Sequence, residues 1–210
     1  VSTTVIGGPS SLDLGKKIAR RLDATYIKTQ LRIFPDGESK LTLDDVPKKG
    51  KIVIVQSTHP PVDSNLIHVF SLIEKAKRWS TQVVAIIPYL CYMRQDMQFL
   101  KGEIVTSETV ARLLGKMGAF KVITVDIHSR LALNYFTVPV INVTAVPKLA
   151  IHVKKMGLQK PLVVAPDLFW SSRAKEFASI LDTQSIALNK QRDRKTGRLS
   201  IKSSTKMNLF

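Results

Sequence analysis

The sequence predicts an α/β protein with largely parallel sheets, arranged as two layered units. Three observations predict it. Short β-branched runs recur at Ile52-Val53-Ile54-Val55, Val83-Val84-Ala85-Ile86-Ile87 and Val122-Ile123-Thr124-Val125, and such runs suit strands buried on both faces. Segments of helical periodicity separate them, and strands that alternate with helices specify parallel α/β architecture. A chain of 210 residues that is 44% hydrophobic has enough apolar material for a substantial core.

The elements follow in order. Val5 and Ile6 form a short strand that runs into Gly7-Gly8. Pro9, Ser10 and Ser11 then start a helix through about Leu22, with Leu12, Ile18 and Ala19 inward. Ala24 to Ile27 is a second short apolar segment. Phe34-Pro35-Asp36-Gly37-Glu38 is a turn-prone insert between two strands, the later one marked by Leu41 and Leu43 around Thr42. Lys51 to Gln56 is a strand, Asn65 to Ala76 a helix, and Gln82 to Pro88 a strand. Thr106 to Met117 is a helix that Gly118 can stop. Lys121 to Asp126 is the next strand.

The alternation continues. Val138 to Val143 is a strand, Pro147 to Met156 a helix, Leu162 to Ala165 a strand and Ser171 to Leu181 a helix. Gln184 to Leu188 is a further strand, followed by the basic loop Lys190 to Arg198 and one more strand within Leu199 to Phe210. The expected domains are 1–144 and 145–210, the second short of strands and helices.

Lys and Arg number 32 and Asp and Glu 16, for a net charge of +16. That balance leaves three readings open: nucleic-acid binding, a solvated basic surface, or a site for polyanionic small molecules. One cysteine, Cys91, excludes an intramolecular disulfide framework and a Cys-rich zinc site. No local His is placed to activate it, so it reads as structural. No apolar run reaches the roughly 18 residues of a membrane span. The first residues lack signal-peptide character, so a cytoplasmic protein is expected.

Several polar groups sit just after buried strands, where open α/β sheets place ligands. Asp126 and His128 follow one strand and Asp167 another, while Arg94, Gln95 and Asp96 lie in a third such loop. An Asp-x-His at a strand end can reach a divalent ion, hold ordered waters or cap the next helix. With carboxylates and no Cys pair, Mg²⁺ is favoured over zinc. Lys190, Arg192 and Arg194 alternate and can clamp phosphate groups if extended, or form a solvated loop. Tyr89 and Tyr92 can stack on a base or ribose, or pack structurally. His59 sits in a Thr-His-Pro-Pro loop, which leaves open a place near a site or a plain loop role, whereas His68 and His152 lie in helices with surface or packing roles. There is no P-loop, no Gly-x-Gly-x-x-Gly fingerprint, no Cys/His finger and no aromatic RNA-binding signature.

Four segments together resemble the ribose-phosphate pyrophosphokinases, the archaeal members above all. They are Phe34-Pro35-Asp36-Gly37-Glu38, Pro88-Tyr89-x-x-Tyr92-x-Arg94-Gln95-Asp96, Val125-Asp126-Ile127-His128-Ser129, and Ala165-Pro166-Asp167 followed by Arg173-Ala174. The resemblance runs from Gly7-Gly8 to the basic loop near Arg198. It implies transfer of pyrophosphate from ATP to the C1 hydroxyl of ribose 5-phosphate, giving 5-phosphoribosyl 1-pyrophosphate and AMP. It implies two similar phosphoribosyltransferase-like domains, the second incomplete here, and a homodimer or a larger oligomer built from dimers. The active site would lie between the domains. No specific nucleic acid and no membrane partner is expected.

Carried over residue by residue, the resemblance implies that Phe34, Asp36 and Glu38 hold the adenine end of ATP from the neighbouring subunit. Arg94 and Gln95 would bind ATP, with Arg94 near its phosphates. His128 would meet Mg²⁺ at the ATP phosphates and Asp126 would support that site. Asp167 would lie at the ribose 5-phosphate and Mg²⁺ side. Lys190 and Arg192 would be catalytic, on a mobile loop that stabilises charge on the transferring group. The chain departs from the family at Leu168, Phe169 and Trp170, where a small Gly-rich pair is usual. The family also continues into a Thr-Gly-Gly-Thr phosphate loop that does not occur before Phe210. The natural chain is therefore expected to be longer. These two departures also motivate the alternative of a non-catalytic relative that scaffolds or regulates an active synthetase.

Overall fold

A computed structural model describes residues 2–192 and 199–203, and of residues 190–192 and 199–203 the backbone path alone. The chain divides into two compact units, Val1–Val143 and Thr144–Phe210.

The first unit is a seven-stranded sheet in the order β3-β2-β1-β4-β5-β6-β7. Its strands are β1 (Thr3–Gly7), β2 (Thr25–Ile33), β3 (Ser39–Leu43), β4 (Lys51–Val55), β5 (Val83–Ile87), β6 (Lys121–Val125) and β7 (Val140–Val143). Every neighbouring pair is parallel except β2 with β3, which is an antiparallel hairpin at the edge. The helices are α1 (Leu12–Arg21), α2 (Val62–Lys77) and α3 (Thr106–Met117).

The period of two along each strand assigns the core. Ile6, Ile52, Ile54, Ala85, Ile87 and Val122 share one cluster with Leu66, Val69, Leu72 and Ile73 of α2 and with Val110 and Leu114 of α3. The alternate positions Val5, Val53 and Val55 pack with Ala19 of α1. Both faces of the central strands are therefore covered, which is why their sequences are continuously apolar. Ile6 and Ile52 are fully buried, and each such side chain contributes roughly 1.5–3 kcal/mol of hydrophobic stabilisation.

Local chemistry sets the ends. α3 carries a Glu108–Arg112 ion pair at 2.6 Å and stops at Gly118, whose φ of +109 is a left-handed cap that favours glycine. β2 is longer than the apolar segment Ala24 to Ile27 suggests. Its first half, Thr25 to Lys28, pairs with β1, whereas Thr29 to Ile33 pairs with β3. The outer half of the hairpin thus runs on past β1.

The second unit contains α4 (Val146–Lys154), β8 (Val163–Ala165), α5 (Ser171–Leu181), β9 (Ser185–Arg192) and β10 (Leu199–Ser203). β8 and β9 are parallel and β10 joins β9 antiparallel. The basic segment expected as a loop from Lys190 begins instead as strand. Lys190 pairs with Ile201 and Arg192 with Leu199, and that ladder satisfies backbone groups a loop would leave to water. The rest of that expectation, residues 193–198, lies outside the described residues, as does 204–210 of the last expected strand. Two short 3-10 turns, Leu131–Tyr135 and Leu168–Trp170, were not anticipated.

Candidate active site

In a parallel sheet the carboxyl ends of all strands lie at one edge. In the first unit that edge gathers the segments after β1, β4, β5 and β6. The chain leaves β1 toward β2 and returns on the other side to β4, so β1 and β4 flank the topological switch point where such sheets bind ligands.

The segment after β5 carries Arg94 and Gln95, both exposed. It is held from three sides. The Thr58 hydroxyl donates to the Tyr89 carbonyl at 2.7 Å and accepts the Cys91 amide at 2.8 Å. The Gln95 carbonyl accepts the Ser107 hydroxyl at 2.9 Å, and the Gln95 side-chain oxygen accepts the Thr106 hydroxyl, both at the start of α3. The Tyr135 hydroxyl donates to the Asp96 carbonyl at 2.7 Å. Cys91 is buried, and burial pushes its thiol pKa up, which disfavours the thiolate that a nucleophile needs.

Asp126 and His128 stand next door, after β6. The Val125 amide donates to the Pro88 carbonyl at 3.2 Å, tying the ends of β5 and β6 together. Asp126 takes φ of +47, and its amide donates to the Val143 carbonyl at 2.8 Å. Between the two residues, the Ile127 amide donates to Asn142 Oδ1 at 2.9 Å. Asn142 and Thr58 are organising residues that sequence reasoning missed. The available signals were a polar residue inside an apolar strand and a hydroxyl just beyond one.

Phe34, Asp36 and Glu38 sit at the tip of the β2–β3 hairpin. The Phe34 amide donates to the Glu38 carbonyl at 2.8 Å, Asp36 Oδ1 accepts the Glu38 amide at 3.0 Å, and Gly37 at φ of +91 closes the turn. The Arg32 guanidinium lies 5.1 Å from the centre of the Phe34 ring. Strands β1 and β4 separate β2 from β5. The hairpin tip therefore belongs to a different part of the edge from Arg94.

In the second unit, Asp167 follows β8, and its Oδ1 accepts the Trp170 amide at 3.2 Å, capping the 3-10 turn. Phe169 meets Trp170 edge to face at 5.3 Å, and the Arg173 guanidinium lies 4.5 Å from the centre of the Trp170 ring. Lys190 and Arg192 lie two positions apart in β9.

Among the described residues no three His, Cys, Asp or Glu side chains converge as a metal cage. Mg²⁺ rarely requires one, because it keeps waters and substrate phosphates on most of its positions and takes one or two protein carboxylates. The donors at the strand ends, Asp126 with His128 and separately Asp167, suit such a substrate-completed ion. Two cavities in the first unit lie elsewhere. One of about 450 Å³ is lined by Lys77 and Trp79, the other of about 750 Å³ by Leu43 and Phe70, and Arg94, Gln95, Asp126 and His128 line neither. Among the described residues no helix is long and apolar enough to cross a membrane.

Comparison with known proteins agrees with the motif pattern. Residues 3–118 match the model for the N-terminal domain of ribose phosphate pyrophosphokinase. The chain is 32% identical over 206 residues to a ribose-phosphate pyrophosphokinase of Sulfurisphaera tokodaii, covering 98% of this chain and 70% of that protein. It is 35% identical over 189 residues to one of Methanobrevibacter smithii, covering 90% of this chain and 63% of that protein. The fold is similar to the crystal structure of phosphoribosylpyrophosphate synthetase from Mycobacterium smegmatis, with a TM-score of 0.80 and 25% identity over 95% of this chain and 67% of that one. The chain thus spans about two thirds of the length of these relatives. On the family model and these identities, the chain belongs to the ribose-phosphate pyrophosphokinase family.

Proposed function

We propose that the protein transfers the β,γ-diphosphoryl group of ATP to the C1 hydroxyl of ribose 5-phosphate, giving 5-phosphoribosyl 1-pyrophosphate and AMP. Family membership supports the reaction. The observation that carries the residue assignment is the adjacency of two segments at the carboxyl edge of one parallel sheet. They are Arg94-Gln95 after β5 and Asp126-x-His128 after β6, tied by the Val125 to Pro88 hydrogen bond.

The chemistry asks for positioning and charge neutralisation. The sugar oxygen attacks the β-phosphorus, the bond from that phosphorus to the bridging α–β oxygen breaks, and AMP leaves while the hydroxyl proton passes to solvent. Arg94 offers a planar set of donors that spreads charge on the ATP phosphates. Gln95 orients the nucleotide, its side-chain oxygen already fixed by Thr106. Lys190 and Arg192 stabilise charge on the transferring group. When bound, Mg²⁺ would neutralise phosphate charge, with His128 as its ligand at the ATP phosphates and Asp126 in support, and Asp167 as a separate ligand on the ribose 5-phosphate side.

Phe34, Asp36 and Glu38 receive the adenine end of ATP from the neighbouring copy in a homodimer or a larger assembly of dimers. This is supported by their position on a hairpin that runs on past β1. The two units correspond to two phosphoribosyltransferase-like domains, working in the cytoplasm. One observation favours a second reading, a non-catalytic relative that scaffolds an active synthetase. Asp167 is engaged as a cap, and Phe169, 57% exposed, stands beside it where the family is small.

An assay with both substrates separates the two. Replacing Arg94 by Ala should raise the KM for ATP at least about tenfold, the expected loss for a charged hydrogen-bonding ligand. Absence of any diphosphoryl transfer by the intact protein, with retained binding to an active synthetase, would favour the scaffold.

A further inference from the structure

Arg94 and Gln95 are exposed, so no core packing of their own fixes them. The turn that presents them is instead gripped from the β4–α2 connection. Thr58 lies three residues beyond β4 and is fully buried. Its hydroxyl and its amide both donate to the Tyr89 carbonyl, at 2.7 and 2.9 Å, and the hydroxyl accepts the Cys91 amide at 2.8 Å. One residue thus clamps the backbone on both sides of Leu90.

A second grip follows five residues later. Asp63, in the first turn of α2, accepts a hydrogen bond from the Tyr92 hydroxyl, and that bond pushes the phenol pKa up. Tyr92 has φ of +63, a left-handed state that a bulky residue adopts only when its surroundings hold it there. The Tyr92 carbonyl then accepts the Gln95 amide at 3.0 Å, closing the turn around Arg94.

We propose that Thr58 and Asp63 are positioning residues for the ATP ligands: the β4–α2 connection sets the turn that presents Arg94 and Gln95. The proposal rests on the reading of those two side chains as ATP ligands. A clamp that merely held the fold would act on both substrates and on stability alike. A clamp aimed at Arg94 and Gln95 acts selectively on ATP.

The test is steady-state kinetics with each substrate varied in turn, together with equilibrium binding of ATP to the intact protein. Thr58→Val removes the hydroxyl and nearly keeps the shape. Its KM and dissociation constant for ATP should rise about tenfold, as expected when buried backbone groups lose a partner. Its KM for ribose 5-phosphate should stay within about twofold, and Thr58→Ser should restore the ATP values. Tyr92→Phe should shift ATP in the same direction, and it carries the test if Thr58→Val does not fold. ATP values unchanged in both variants overturn the proposal. So does an equal rise for both substrates, or a loss of turnover that only follows the loss of folded protein. Arg94→Ala serves as the reference: an unchanged KM for ATP there overturns the ligand reading itself. A rise there with no effect of Thr58→Val and Tyr92→Phe overturns the positioning role alone.

Discussion

Asn142, in the edge strand β7, accepts the Ile127 amide at 2.9 Å and so holds the residue between Asp126 and His128. Together with the Asp126 amide bond to Val143, it fixes the end of β6 against its neighbour. The carboxylate and the imidazole are thereby presented by a braced turn, not by a free loop. Replacing Asn142 by Leu leaves the Ile127 amide without its acceptor and should cost about 1–2 kcal/mol. It should also raise the Mg²⁺ concentration needed for half-maximal activity, whereas Asn142→Asp keeps an acceptor and should change less. Chemical denaturation and a Mg²⁺ titration check both effects. An unaltered Mg²⁺ requirement in Asn142→Leu would limit its role to stability.

Lys190 and Arg192 lie on a strand of the second unit. If they stabilise the transferring group, alanine at either should lower turnover by roughly 100- to 1,000-fold. The folded content, read by circular dichroism and thermal melting, should hardly move. A loss of turnover that parallels a loss of structure would instead mark them as structural.

His68 supplies a pH prediction. It is 3% exposed on α2, and among the described residues both ring nitrogens lack a hydrogen-bond partner. Burial pushes its pKa below the ordinary 6.5. The elements packed most closely on α2 are β4, β5 and α3. Their titratable side chains are Lys51 on β4 and Glu108, Arg112 and Lys116 on α3, and α2 itself adds Asp63, Glu74, Lys75 and Lys77; burial alone is the cause of the shift. The unfolded chain binds a proton as pH falls below 6.5 while the folded chain does not, so stability declines with acid in that window. The decline stops once pH falls below the folded pKa. His68→Leu should flatten the slope of stability against pH just below 6.5, as read by urea denaturation across pH. A slope equal to that of the parent protein would contradict it.

If the adenine site is shared between subunits as proposed, a complementation prediction follows. A protein carrying Phe34→Ala and one carrying Arg94→Ala should each be weak. In a randomly mixed dimer, half the molecules are hybrids with one intact site, so activity should recover to about one quarter of the parent value. Mixing after unfolding and refolding, followed by an activity assay, checks this. No recovery would place Phe34 and Arg94 outside a common intersubunit site.

The sheet was legible because its signal is periodic. Val53 and Val55 face α1, while Ile52 and Ile54 face α2 and α3, and a strand covered twice reads as an unbroken apolar run. Gly118 marked a helix end for a backbone reason visible in one letter. The outer half of β2 was legible only as a strand leading into the turn at Phe34, not as a continuation of the segment Ala24 to Ile27. Thr29, Gln30 and Arg32 pair only with β3 there, so no continuous apolar run marks them. Lys190 and Arg192 left an extended segment and a solvated loop both open, because charge signals solvent, whereas their strand is set by pairing with β10. Arg94, Gln95, Asp126 and His128 were legible as polar residues just after strands. Thr58, Asp63 and Asn142 were not, because their roles depend on partners up to 33 positions away.

The most direct measurement is phosphorus NMR of the purified protein with ATP, ribose 5-phosphate and Mg²⁺. Diphosphoryl transfer predicts that AMP and 5-phosphoribosyl 1-pyrophosphate appear in equal amounts as ATP disappears, with no ADP formed. Formation of ADP, or consumption of ATP that does not depend on ribose 5-phosphate, would contradict diphosphoryl transfer at the β-phosphorus.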